Sequence, residues 1–83
     1  MTETEIGEVF DFFSRVSVIA LKLKAPLKLG ETIHVKGNTT DFTQKVESMQ
    51  ADNTPLKEAK KGADVGIKVG SPARRGDSVF LVK

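Results

Sequence analysis

Short apolar runs separated by polar, glycine-marked turns set the pattern of this chain. Residues 6–13 are rich in β-branched and aromatic side chains and read as a strand. Their apolar positions fall on both parities: Ile6, Phe10 and Phe12 on one, Val9 and Phe13 on the other. Period two therefore leaves the inward face open. Adjacent strand residues point to opposite faces, so Phe10, Phe12 and Phe13 cannot all face inward, and Phe12 or Phe13 is expected at the surface. After a turn signal at Ser14-Arg15, residues 16–23 form the next predicted strand. It has Ile19, Leu21 and Leu23 on one face and Lys22, with Lys24 beyond it, on the other. Residues 32–36 alternate cleanly, Ile33 and Val35 inward and Thr32, His34 and Lys36 outward. Residues 43–51 form a longer strand in which Val46 and Met49 are three apart, so a β-bulge near Ser48 is required for both to face inward. Pro55 is read as opening one helical turn through Leu56-Lys57-Glu58-Ala59, ended by Gly62. Leu56 and Ala59 would then plug one end of the fold. Residues 64–69 place Val65, Ile67 and Val69 inward, with Gly66 on the other face where a neighbour can approach closely. Residues 78–82 close the set, and Phe42 and Phe80 are assigned to the core.

About six short strands with turns between them predict an all-β domain, a six-stranded closed antiparallel β-barrel in which closure removes exposed edges. Gly30, Gly62 and Gly76 supply its turns, where a positive φ is at home. The 83 residues make one domain, 6–83, behind an acidic N-terminal tail, 1–5. A domain this small buries only roughly 60–65% of its unfolded surface.

Composition removes several function classes. There is no cysteine, and a single histidine cannot build a zinc site. No apolar run approaches the roughly 20 residues that span a bilayer. A cytoplasmic, monomeric protein without a cofactor or membrane contact is expected. The net charge of +2 hides an asymmetry. The first eleven residues hold four acids (Glu3, Glu5, Glu8, Asp11) and no base, whereas the rest carries all 13 basic residues against seven acids. A body at +6 is compatible with a phosphate-backbone partner and is also common in plain soluble domains.

Several motifs add a family likeness over about residues 6–83. Gly7, Leu29-Gly30-Glu31, Val46-Glu47-Ser48-Met49, the Gly62 turn into Val65-Gly66, and Arg75-Gly76-Asp77 occur in the order seen in domain II of elongation factor Tu-like proteins. The run Val35-Lys-Gly-Asn-Thr-Thr-Asp-Phe-Thr-Gln-Lys-Val-Glu-Ser-Met-Gln50 resembles, more specifically, the C-terminal domain of the collagenase-like peptidase family and small stand-alone elongation factor-like proteins. The resemblance implies a six-stranded barrel that, in translation factors, contacts aminoacyl-tRNA or ribosomal RNA. In the peptidase-like family, whose members are associated with RNA modification, it implies a substrate-docking part. Ala63 departs from the Asp usual in these families, and no Gly-x4-Gly-Lys-Ser/Thr loop exists. No catalytic residue carries over.

Catalysis is not expected. Only His34 offers an imidazole base, and it sits on an outward face. The candidate RNA contacts are Arg15, Lys22, Lys24, His34, Lys36, Thr39, Thr40, Arg74 and Arg75. Lys22 and Lys24 are expected to share a cross-strand cluster with His34 and Lys36. Such a cluster is either offset by an anionic partner, with salt-dependent binding of tRNA or ribosomal RNA, or simply a solubility device of exposed strands. Arg74-Arg75 forms a second basic site in a loop. The alternative is a protein-interaction module, an accessory subunit of a larger translation or RNA-modification complex, with Phe12 or Phe13 at its interface.

Overall fold

The computed structural model describes residues 3–52 and 54–83. Every regular element among them is a β-strand. In order these are β1 Glu3–Phe13, β2 Val18–Leu23, β3 Leu27–Lys28, β4 Thr32–Lys36, β5 Asp41–Lys45, β6 Met49–Ala51, β7 Thr54–Pro55, β8 Glu58–Ala59, β9 Asp64–Lys68 and β10 Ser78–Val82. Eight form one antiparallel sheet in the order β5-β4-β10-β1-β2-β9-β6-β7, and β3 pairs with β8 as a separate two-stranded piece.

The all-β expectation holds, but the closed six-stranded ladder does not. Among the described residues the sheet runs from β5 to β7 without a backbone ladder joining those two edges. A side chain instead ties the edge strand β5 to the end of β9. The Gln44 amide donates from Nε2 to the Lys68 carbonyl (2.9 Å) and accepts at Oε1 from the Gly70 N–H (2.9 Å). One glutamine thus supplies the donor and acceptor that an additional strand would have offered.

β1 is the central strand, pairing with β10 on one side and β2 on the other. It resolves the mixed parity of its sequence with two register shifts. Ile6 is the extra residue between Glu5 and Gly7 against β10, and Phe10 is the extra residue between Val9 and Asp11 against β2. Each added residue reverses which side of the strand the following side chains take. The inward set becomes Ile6, Val9 and Phe12, a spacing of three: the first two are buried and Phe12 packs against the core. Phe10 and Phe13 are left outside.

The remaining core follows the alternation read from sequence. Ile19, Leu21, Leu23, Ile33, Val35, Val65, Ile67 and Val69 are all buried, as are Val46 and Met49. For the last two, β5 ends at Lys45 and β6 begins at Met49, so an interruption of the strand brings both inward. The three glycine turns hold positive φ at Gly30 (88°), Gly62 (90°) and Gly76 (89°), as their chemistry predicts.

Five local expectations are corrected. Val16 and Ser17 belong to the β1–β2 turn rather than to β2. The helical turn over Leu56–Ala59 is absent: β7 and β8 flank Leu56, while Ala59 is still buried and Leu56 still packs on the core. Pairing with β3, whose Leu27 is buried, outcompetes a four-residue helix that has too few internal hydrogen bonds to stand alone. Phe80 lies on the outer parity of β10, beside His34, because Val79 and Leu81 take the inward positions. Phe42 is only half-buried against the core. The acidic start, expected as a tail, includes Met1 and Thr2, which lie outside the described residues; Glu3, Thr4 and Glu5 are part of β1 and pair with Val82, Leu81 and Phe80.

The bulges impose a steric requirement on Gly7. A Cβ there would lie 2.5 Å from the Lys22 carbonyl oxygen and 2.7 Å from Leu21 Cδ1. The first obstacle is backbone of the neighbouring strand and cannot swing away. Gly70, by contrast, has only Gln44 Oε1 at 3.9 Å. Gly7→Ala is expected to lower stability by about 1–3 kcal/mol, while Gly70→Ala stays within about 0.5 kcal/mol of wild type in urea unfolding.

Candidate functional site

The strand order separates residues that the sequence pattern groups as one basic patch. Lys22 and Lys24 were expected beside His34 and Lys36. However, β2 pairs with β1 and β9, whereas β4 pairs with β10 and β5. Lys22 stands opposite Glu8 on one side and Asp64 on the other. The Lys24 ammonium is 3.7 Å from the Glu5 carboxylate. This region alternates in sign, and the single-sign cluster does not form.

His34 is also not a free surface base. Its Nδ1 meets Glu3 Oε2 at 2.9 Å and its Nε2 meets Asp41 Oδ1 at 2.5 Å, with the side chain 14% exposed. The expectation of an exposed imidazole fails because Glu3, two strands away on β1, and Asp41, on β5, close over it. The hydrogen bond to Asp41 is the largest influence and raises the His34 pKa above its ordinary value of 6.5, opposed by burial and reinforced by Glu3. Both ring nitrogens face carboxylates. Thr40 is buried and is likewise not a free hydroxyl at the surface.

A smaller basic site does assemble. The loop after β4 and the loop before β10 meet at the end of the sheet that also carries the β1–β2 turn. An open cleft of about 710 Å³ there is lined by Lys36, Asn38, Thr39, Arg74, Arg75 and Ser78, among others. Buried Asp77 shapes its wall: its Oδ2 accepts from the Arg74 N–H at 2.8 Å, and the Asp77 N–H donates to the Arg74 carbonyl at 3.1 Å. Gly76 and Asp77 extend the sheet by bonding to Val9, so the arginine loop is anchored on β1. Arg75 Nε lies 3.6 Å from Asp11. Arg15 is exposed in the β1–β2 turn.

The second feature is apolar. Among the described residues, Phe10, Phe13, Val16 and Leu29 are the large exposed hydrophobic side chains. The first three line a single groove of about 600 Å³ on the outer face of β2, β9 and β6. Its floor is made of small or short side chains, with Val18, Ala20 and Gly66 contributing. Gly66 keeps that floor low: a Cβ there would sit 3.2 Å from Val18 Cγ1 and 3.6 Å from Gln50 Cγ. The charged residues lining the groove are Asp52 and Asp64.

Of the two predicted interface phenylalanines, Phe13 is exposed at 49% and Phe12 packs on the core. Phe10, exposed at 47%, was missed because it shares the parity of Ile6. The signal that could have found it is the spacing of three in Ile6, Val9 and Phe12. Among the described residues, no helix is long and apolar enough to cross a membrane, and no group of three or more His, Asp or Glu is arranged to hold a metal.

Comparison with known proteins places this geometry in context. No protein-family model matches the chain. An uncharacterized protease of Methanocaldococcus jannaschii is 42% identical over 80 residues, covering 95% of this chain and 20% of that protein. The chain thus spans about one fifth of the length of the curated relative it matches. Two crystal structures of the C-terminal domain of a Geobacillus thermoleovorans protein described as a U32 peptidase share its fold. One has a TM-score of 0.89 at 17% identity, covering 95% of this chain and 92% of that domain. The other, a selenomethionine variant, has a TM-score of 0.86 at 18% identity, covering 92% and 96%. These matches concern the peptidase side of the resemblance and do not show the likeness to translation factor domain II. The chain has the fold of a U32 peptidase C-terminal domain.

The His34 geometry fixes the direction of one pH effect. A histidine whose folded pKa is raised stabilises the fold fully below its unfolded value, and that contribution is lost as pH rises through the folded value. NMR titration of His34 is expected to give a pKa above 6.5. Asp41→Asn should lower that pKa more than Glu3→Gln, and His34→Gln should remove the matching decline in stability with rising pH.

Proposed function

We propose that this chain is a non-catalytic docking module that binds a protease-type body through the groove of Phe10, Phe13 and Val16. The observation that carries the reading is the gathering of these three exposed apolar side chains around one groove. Exposed apolar surface of this kind marks contact sites, and aromatic side chains contribute most where a partner covers them fully. The relative adds a second support. The match occupies one fifth of a protein named as a protease, so the fold has a larger body beside it in that protein. In the present case the body would come from a separate chain or from further sequence.

Charge favours a protein over a nucleic acid at this groove. Phosphates would meet Asp52 and Asp64 there, and the exposed phenylalanines have no basic residue among the groove lining. The double variant Phe10→Ser/Phe13→Ser tests the reading, since substituting exposed side chains should leave the fold intact. In nuclease-treated lysate of the source organism, the wild-type chain is expected to retain a protein similar to the remaining four fifths of the protease relative. The variant should lose at least tenfold in affinity, about 1.4 kcal/mol. Equal retention by both, or capture that disappears with nuclease, contradicts the proposal.

Binding of tRNA or ribosomal RNA is a second reading, favoured by the cleft that joins Lys36, Thr39, Arg74 and Arg75. Contacts to the phosphate backbone weaken steeply as salt rises. This reading expects labelled tRNA to bind at low salt, to be released at moderate salt, and to bind several-fold less to Arg74→Gln/Arg75→Gln. Absence of binding at low salt overturns it.

A further inference from the structure

Resting on the docking reading, we infer that the groove selects a partner segment carrying an apolar side chain followed by lysine or arginine, held by side-chain contacts rather than by strand addition. Two observations lead there. The first is the charge of the lining. The groove wall is apolar at Phe10, Phe13, Val16, Val18, Ala20 and Val65, and the ionisable residues on it are Asp52 and Asp64. Among the described residues neither aspartate has a cation within ion-pair distance, although Lys22 stands opposite Asp64 in register. An apolar side chain seated between the phenylalanines leaves a neighbouring cation within reach of these carboxylates. An acidic neighbour would meet like charge, and repulsion of the wrong partner is how charged rims confer specificity.

The second observation is the backbone pairing beneath the groove. Strand addition needs an unpaired edge. β2 is flanked by β1 and β9, β9 by β2 and β6, and β6 by β9 and β7. The groove therefore lies on the face of paired strands rather than along a free outer edge; the β6–β9 ladder beneath it is short, Met49 with Ile67 and Gln50 with Gly66, and the groove offers its contacts chiefly through side chains. Gln50, which also lines the groove, offers an amide to the partner's main chain.

The test uses the whole chain, isotopically labelled, and two synthetic probes with blocked ends: Gly-Leu-Phe-Lys-Lys-Gly and Gly-Leu-Phe-Glu-Glu-Gly. The basic probe is expected to shift the amide resonances of Val18, Ala51, Asp64 and Gly66 and to bind at least tenfold more tightly than the acidic one. Asp52→Asn/Asp64→Asn should bring the two probes to within about threefold of each other. Equal binding of both probes to the wild-type chain overturns the charge selection while leaving the docking groove in place. Binding of neither probe, or shifts confined to Lys36, Thr39 and Arg75, overturns the groove as the docking site as well.

Discussion

Two extra residues in the central strand determine how the rest of this molecule is arranged. β1 contacts β10 with its first half and β2 with its second, so it must satisfy two ladders along eleven residues. A regular strand would present every second side chain to the core. The shifts at Ile6 and Phe10 convert that period into steps of three and send Ile6, Val9 and Phe12 inward. The same shifts put Phe10 and Phe13 on the outside, where they wall the groove. Core formation and surface chemistry are two outcomes of one backbone irregularity, and bulges commonly re-aim side chains in this way.

The electrostatics follow from strand order in a similar manner. The chain is basic overall, yet β1 carries all four acids of its N-terminal part into the middle of the sheet. Glu5 meets Lys24, Glu8 faces Lys22, Asp11 meets Arg75 and Glu3 meets His34. At least three of these contacts are exposed and individually worth little to stability. Their consequence is for recognition: they divide what would be one positive face into separate sites. One site that stays basic is the cleft lined by Lys36, Arg74 and Arg75, at the end of the sheet. What remains apolar is the groove, bordered by Asp52 and Asp64.

Much of the fold was legible because local chemistry and tertiary packing agree. The alternation in residues 32–36 and 64–69, the three glycine turns and the inward pairing of Val46 with Met49 all reappear in the structure. The failures came where a residue's fate depends on a distant strand. No local pattern says that β4 lies beside β10 rather than β2, so the Lys22–Lys36 grouping could not be checked from sequence. Pro55 and Leu56 read as a helix start because nothing nearby reveals β3 as a partner for β8. By hydrophobicity Phe80 reads as a core residue, yet Val79 and Leu81 fill the inward positions of β10. Interface residues were half legible: the crowding of three phenylalanines predicted an exposed one, but which side the strand presents depends on the bulge.

The claim that β1 steps inward every third residue can be measured directly, because the chain contains no cysteine. Single Val9→Cys, Phe10→Cys, Phe12→Cys and Phe13→Cys variants would each be reacted with a thiol reagent under native conditions and again when unfolded. The account predicts fast native reaction for the Phe10→Cys and Phe13→Cys chains, near their unfolded rates. It predicts strong protection for Val9→Cys and intermediate protection for Phe12→Cys. A period-two result, with positions 10 and 12 reacting alike and positions 9 and 13 reacting alike, would contradict the bulged strand and the groove built on it.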